Sequence, residues 1–352
     1  MRRRRQKHYN ALDGLRAYSA IGIIFLHVFA NGGGYGLTGF VAEQLIPSFT
    51  NLVFLFMIIS GFSMCCGYYD KVLQGKIDFK SFYGKRFAKT WPFFAVLCVI
   101  EVMIAPNSRS IFEAFLNLTL SFGLLTQESF SVIGVGWFLG VVFVFYFVFP
   151  YFCYLISDWR RAWLVFVAAY YMNQIGVAHY AVGRANFGYC AVFFVAGGLI
   201  YLYQYRLSRA SAKHRWIVRL LCAIATSVYF LQGPSVRVML ILYSLLLIYA
   251  IGVTKRGFLI NPVTKFLSSI SLEIYLCHMA IFRIFEKMNL THLFGDNVLS
   301  YITTCISVAL GAIGFSYAVN WGLRKITVVF EKFQTWWNNL LVNPTDVQGD
   351  ID

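Results

Sequence analysis

Ten long apolar stretches, separated by short polar connections, leave this 352-residue chain few ways to fold. A hydrocarbon core about 30 Å thick takes roughly 20 helical residues to cross, and a helix satisfies its own backbone hydrogen bonds where water cannot. The stretches run from Leu15 to Ala30, Ser48 to Gly67, Trp91 to Ala105, Gly136 to Ile156, Trp163 to His179, Phe187 to Tyr203, Ile217 to Leu231, Val238 to Val253, Phe266 to Phe285 and Val298 to Leu323. The third is short, and Ile111 to Leu125 beside it reads as a re-entrant or interfacial piece. Hydrophobic residues make up 59% of the chain and charged residues only 13%, which excludes a soluble domain of this length. The expected fold is an all-α, polytopic transmembrane bundle of about ten spans.

The formal net charge of +15 invites a nucleic-acid partner, but the distribution of charge argues against one. Basic residues gather in every second connection: Arg2 to Lys7, Lys71 to Lys89, Arg160 and Arg161, Arg206 to Arg219, Lys255 to Lys265, and Arg324 to Lys332. The alternate connections hold only Arg109, Arg184, Arg237, Arg283 and Lys287. This is the positive-inside pattern, and it puts both termini in the cytoplasm with an even number of spans. Membrane lipids are therefore the expected surroundings, and no nucleic acid is expected. The basic start resembles a secretory signal, yet the apolar run after it is long and contains Arg16 and His27, so it reads as a retained first span. All eight cysteines lie within or at the ends of spans. Cys65 and Cys66 are adjacent but lack ligand spacing, so neither a disulfide nor a metal site is expected. Residues 1–330 form the membrane domain. Residues 331–352, with Trp336 and Trp337 and an acidic end, read as a cytoplasmic tail on the inner membrane surface.

Ionisable groups inside a span are costly and point to function by default. Arg16 and His27 are eleven residues apart, which returns a helix to nearly the same face about 16 Å further along its axis. Within Leu12-Asp13-Gly14-Leu15-Arg16 the guanidinium sits near the inner interface, whereas His27 lies more than halfway into the core. Such a helix can hold a charged head group near the cytoplasm while the reactive end reaches an imidazole, provided both side chains face one protein-lined cavity. The structural alternative has Arg16 snorkelling to headgroups and His27 bonded to a neighbouring helix. His278, in Ser271-Leu272-Glu273-Ile274-Tyr275-Leu276-Cys277-His278, lies twelve residues, about 18 Å, into the ninth stretch and so at a similar depth. Two imidazoles at one level suit acid/base work on a buried substrate. Glu273 can pair with Arg16 or another inner cation.

Arg86 and Lys89 share a face if the lead-in to the third span is helical, and such a pair can grip phosphates or simply answer lipid headgroups. Ser60-Gly61-Phe62 and the Trp137 to Pro150 segment read as packing elements. For Glu101 both a paired and a protonated state are open.

Taken in order, these segments resemble the acyltransferase 3 family of integral membrane acyltransferases, which modify bacterial sugars and envelope polymers. The resemblance implies ten spans in the cytoplasmic membrane. It also implies transfer of an acyl group, most often acetyl, from cytoplasmic acetyl-CoA or another acyl-CoA to a hydroxyl of an envelope or extracellular glycan. The acyl-CoA is a co-substrate, and no permanently bound cofactor is implied. His27 matches the presumed catalytic histidine, Arg16 its basic partner and Asp13 the acid beside it; Glu273 and His278 fall on the late Glu and His positions. Arg86 matches the first arginine of the family's paired-arginine motif, and Lys89 stands in the second place, keeping the charge but losing bidentate geometry. Donor binding would then fall to Arg16, Arg86 and Lys89. Many members have Ser and Glu where this chain has Phe138 and Val142. A polysaccharide or small-solute transporter or flippase is the alternative reading, since charged residues inside a bundle also mark transport paths; a non-enzymatic scaffold or sensor is a further one.

Overall fold

The computed structural model describes residues 9–104, 106–119, 134–180 and 182–342, with side chains as far as residue 328 except at 104 and 109. The described chain is helical throughout, apart from its turns and one isolated bridge between Gly257 and Ile260. The helices are α1 (Ala11–Asn31), α2 (Leu52–Leu73), α3 (Phe79–Ile104), α4 (Ser108–Leu118), α5 (Trp137–Leu155), α6 (Trp159–Tyr180), α7 (Phe187–Ser208), α8 (Ala212–Gln232), α9 (Val236–Gly252), α10 (Pro262–Ser269), α11 (Ser271–Lys287) and α12 (Val298–Val342).

Each of the ten apolar stretches falls on a helix, with the ninth divided between α10 and α11. Among the described residues, six helical runs are long and apolar enough to cross a membrane, seven if the bent pair α10–α11 is one span; α9 is a shorter apolar helix. The lead-in with Arg86 and Lys89 is part of α3 itself. α4, opened by an Asn107–Ser110 capping box, has only 11 residues, too few to cross; residues 120–125 of the expected interfacial piece lie outside the described residues. α12 runs without a break past residue 330, so the boundary expected there falls inside a helix, and residues 343–352 of the tail lie outside the described residues.

The ninth stretch is where the sequence reading needs correction. α10 and α11 meet at a 72° bend. Ile270 leaves helical geometry at φ −122°. Around it, Ser269 Oγ donates to the Phe266 carbonyl at 2.6 Å and Ser271 Oγ to the Ser268 carbonyl at 3.0 Å. Serine hydroxyls that bond nearby carbonyls offer the backbone an alternative to continuous helix. His278 therefore lies seven residues into α11, about 10 Å, rather than 18 Å along one rod.

α5 and α7 sit deepest, with 67% of their apolar windows buried, whereas α8 has 11% buried and turns Leu220, Leu221, Ile224 and Leu231 outward. An apolar exterior of this kind suits contact with lipid. At the centre, α2 and α7 meet through glycines. A Cβ on Gly61 would run into the Phe194 carbonyl, and one on Gly197 into the Ile58 carbonyl. Both obstacles are backbone and cannot swing aside. Gly61→Val should cost about 1–3 kcal/mol or more through overpacking, read as a clear fall in the thermal midpoint of the purified protein.

Candidate functional site

The first turns of α1 are tied down residue by residue. Leu12 and Leu15 are buried, and a Cβ on Gly14 would sit 2.5 Å from the Leu259 carbonyl, so glycine lets the segment before α10 pass close by. Asp13 Oδ1 accepts from Ser268 Oγ at 3.0 Å and from Arg16 Nη1 at 3.5 Å. Arg16 Nη2 donates to Ser63 Oγ on α2 at 2.7 Å. The partner of Arg16 is thus Asp13 on its own helix rather than Glu273. Glu273 Oε2 has no hydrogen-bond partner among the described residues.

Arg16 faces a cavity of about 250 Å³ together with Arg86, Lys89 and Thr90 from α3, Ser60 and Ser63 from α2, and Glu273 from α11. The Arg86 guanidinium lies over the rings of Tyr68 and Tyr146, 5.0 and 5.5 Å from their centroids, and its buried Nε has no partner. Aromatic faces hold a cation in place while leaving its N–H groups to a ligand. Of the seven residues singled out from the sequence, Arg16, Arg86, Lys89 and Glu273 line this cavity; Asp13 stands behind Arg16; the two histidines do not line it.

The long axis of the cavity follows the helices. Its α2 wall runs from Met64 to Phe56 and its α5 wall from Tyr146 to Phe138, each eight residues or about 12 Å. The cations lie towards the Met64 and Tyr146 end. The other end is floored by Phe56, Phe138 and Tyr275. One turn beyond Tyr275, His278 meets His27, their ring centroids 5.1 Å apart. Arg16 lines the cavity and the two histidines do not; Tyr275, about one turn before His278 on α11, is the lining residue that comes nearest to them in the chain. The rings of His27 on α1 and His278 on α11 lie side by side although the bend at Ile270 breaks the single rod along which the depth of His278 was counted.

His278 is fully buried, and its Nδ1 donates to the Tyr275 carbonyl at 2.7 Å. A carbonyl can only accept, so in the neutral ring the proton resides on Nδ1 and Nε2 keeps a free lone pair. That Nε2 is buried without a partner among the described residues. His27 lies at the C-terminal half of α1, where its carbonyl accepts from Asn31 Nδ2 at 2.7 Å.

Two features escaped the sequence reading. Arg184, counted there only as an outer-loop charge, donates to Thr50 Oγ1 at 2.9 Å and to the Thr50 carbonyl at 2.7 Å, and lies over the rings of Phe54 and Trp137. Arg16 and Arg184 therefore hold α2 at Ser63 and the turn that precedes it at Thr50. A single arginine in a short connection carries no local motif, so only the fold exposes it. The second is the Trp137 segment, read as packing, in which Phe138, Leu139, Val142 and Tyr146 are cavity walls. Glu101, left open before, pairs with Arg283 on α11 at 3.5 Å.

The described chain is a helical bundle with three cations around a cavity and a histidine pair beyond the residues that line it, the architecture of a helical membrane protein. The family model for the acyltransferase domain, acyltransferase 3, matches residues 9–321, and the chain belongs to that family. It is a membrane acyltransferase. No curated protein and no solved structure matches the chain.

Proposed function

We propose that the protein is an O-acyltransferase of the cytoplasmic membrane that moves an acyl group, acetyl by preference, from cytoplasmic acyl-CoA to a hydroxyl of an envelope or extracellular glycan. The observation that carries this reading is the approach of His27 to His278 at 5.1 Å, one helical turn past a cavity ringed by Arg16, Arg86 and Lys89. With both chain ends in the cytoplasm and about ten spans, the cationic end of the cavity is cytoplasmic. The three cations take the nucleotide and diphosphate end of the donor, and position the thioester towards the imidazoles. Asp13 and Ser63 orient Arg16; Glu273, facing Lys89 across the cavity, orients that ammonium.

In the direct route, a histidine Nε2 accepts the acceptor's hydroxyl proton while the oxygen attacks the thioester carbonyl carbon; the C–S bond breaks, an ester forms, and the proton passes to the CoA thiolate. In the two-step route the imidazole nitrogen itself attacks, thiolate leaves, and the acyl-imidazole is then opened by the acceptor hydroxyl. The free lone pair on His278 Nε2 supports a role as proton acceptor or as orienter of His27.

The test compares surface glycans by mass spectrometry in cells with and without the gene. A mass difference of one acetyl group per modified unit is expected, with labelled acetyl-CoA supplying the label to membranes that contain the protein. Transport of a glycan or solute by reconstituted protein with no acyl donor present would overturn the reading in favour of the transporter.

A further inference from the structure

The end of the cavity away from its cations is lined by aromatic rings, and these rings pack against one another. Tyr275 donates its hydroxyl to the Val135 carbonyl at 2.8 Å and is 3% exposed. Phe138 packs edge-on against Tyr275, centroids 5.3 Å apart at 68°, and lies 5.9 Å from Phe56. Phe138 is the middle ring of the three, and it makes no hydrogen bond that its removal would orphan. On the far side of Tyr275, His278 follows at 6.1 Å.

An elongated donor with a charged nucleotide at one end can enter this cavity in one sense only. Its anionic groups stay with Arg16, Arg86 and Lys89, and its acyl end points at the aromatic floor. Length added to the acyl group then has to displace rings that are already packed, since interiors at this density yield little room. We propose, resting on the reading of the cavity as an acyl-CoA site, that Phe138 is the acyl-length determinant of this enzyme: with Phe56 and Tyr275 it restricts the donor to short acyl groups of the acetyl class, and its removal admits longer chains.

Each methylene in a close-fitting apolar pocket is worth about 10–200-fold in discrimination. The experiment measures dissociation constants of acetyl-CoA, butyryl-CoA and hexanoyl-CoA for the detergent-solubilised full chain, each referred to free CoA on the same protein. The wild type should prefer acetyl-CoA over butyryl-CoA. Phe138→Ala should raise the butyryl-to-acetyl affinity ratio by about tenfold or more. Phe138→Leu, which keeps the site apolar and guards against a failure of Phe138→Ala to fold, should shift it in the same direction by less. A folded variant that binds CoA with the ratio unmoved within twofold would overturn the proposal while leaving the donor site standing. A wild type that binds neither CoA nor any acyl-CoA would overturn the donor reading, and the length determinant with it.

Discussion

Replacing His27 with alanine should lower acyl transfer by about 10²–10⁴-fold, the range in which a positioned general base contributes, while the protein still folds and inserts. The expectation of intact folding rests on what His27 does structurally. Its ring is half-buried and packs beside His278 with no side-chain hydrogen bond among the described residues, so alanine leaves no buried donor or acceptor newly orphaned on a neighbour. Initial rates from labelled acyl-CoA, on membranes matched for protein, measure the effect, and the thermal midpoint and elution profile of the purified variant measure the fold. His278→Gln serves as the companion. An amide can bond the Tyr275 carbonyl in place of Nδ1–H but cannot cycle a proton, so a merely structural His278 would tolerate Gln, whereas an imidazole in proton transfer would lose most of the rate. Wild-type transfer by well-folded His27→Ala would leave the acid/base centre without its main member.

The helical pattern was legible because hydropathy alone locates spans: every predicted stretch lies on a helix. What hydropathy does not carry is continuity. Ser269 and Ser271 are compatible with a span by composition, and only their side-chain bonds to local carbonyls reveal the break at Ile270. The same limit explains the site. Arg16 and His27 are related by helical period on one element, and His278 by depth on another, so their juxtaposition could be argued before any fold was known. Phe56, Phe138 and Tyr275 come from three different helices. In a chain with 35 phenylalanines, no sequence pattern separates rings that floor a cavity from rings that fill the core. Arg184 was invisible for a related reason, since its partners Thr50, Phe54 and Trp137 are distant in the chain.

The second large effect concerns donor binding. Arg16→Ala should weaken acyl-CoA binding by about 10–100-fold, the loss expected when one charge-assisted hydrogen-bonding group leaves a phosphate site. The fold should survive, because Asp13 keeps its bond from Ser268 and is not left buried and unpaired. Arg16→Lys should recover only part of the affinity. The arginine fork places one nitrogen on Ser63 at 2.7 Å and the other towards Asp13 at 3.5 Å, and a single ammonium cannot hold both contacts while presenting a further N–H to the cavity. Asp13→Asn should cost less than Arg16→Ala. It keeps the shape of the Ser268 contact but loosens the guanidinium, and a double-mutant cycle of Arg16→Ala with Asp13→Asn should show coupling between the two positions, because the carboxylate acts through the guanidinium it holds. Calorimetric or competition binding with acetyl-CoA reads the wild type and the four variants on one scale. Should folded Arg16→Ala bind the donor within twofold of the wild type, the cavity between α1, α2, α3 and α11 would not be where acyl-CoA sits. The guanidinium would then serve to fasten α1 to Ser63 on α2, with Asp13 fastening the same helix to Ser268 on α10.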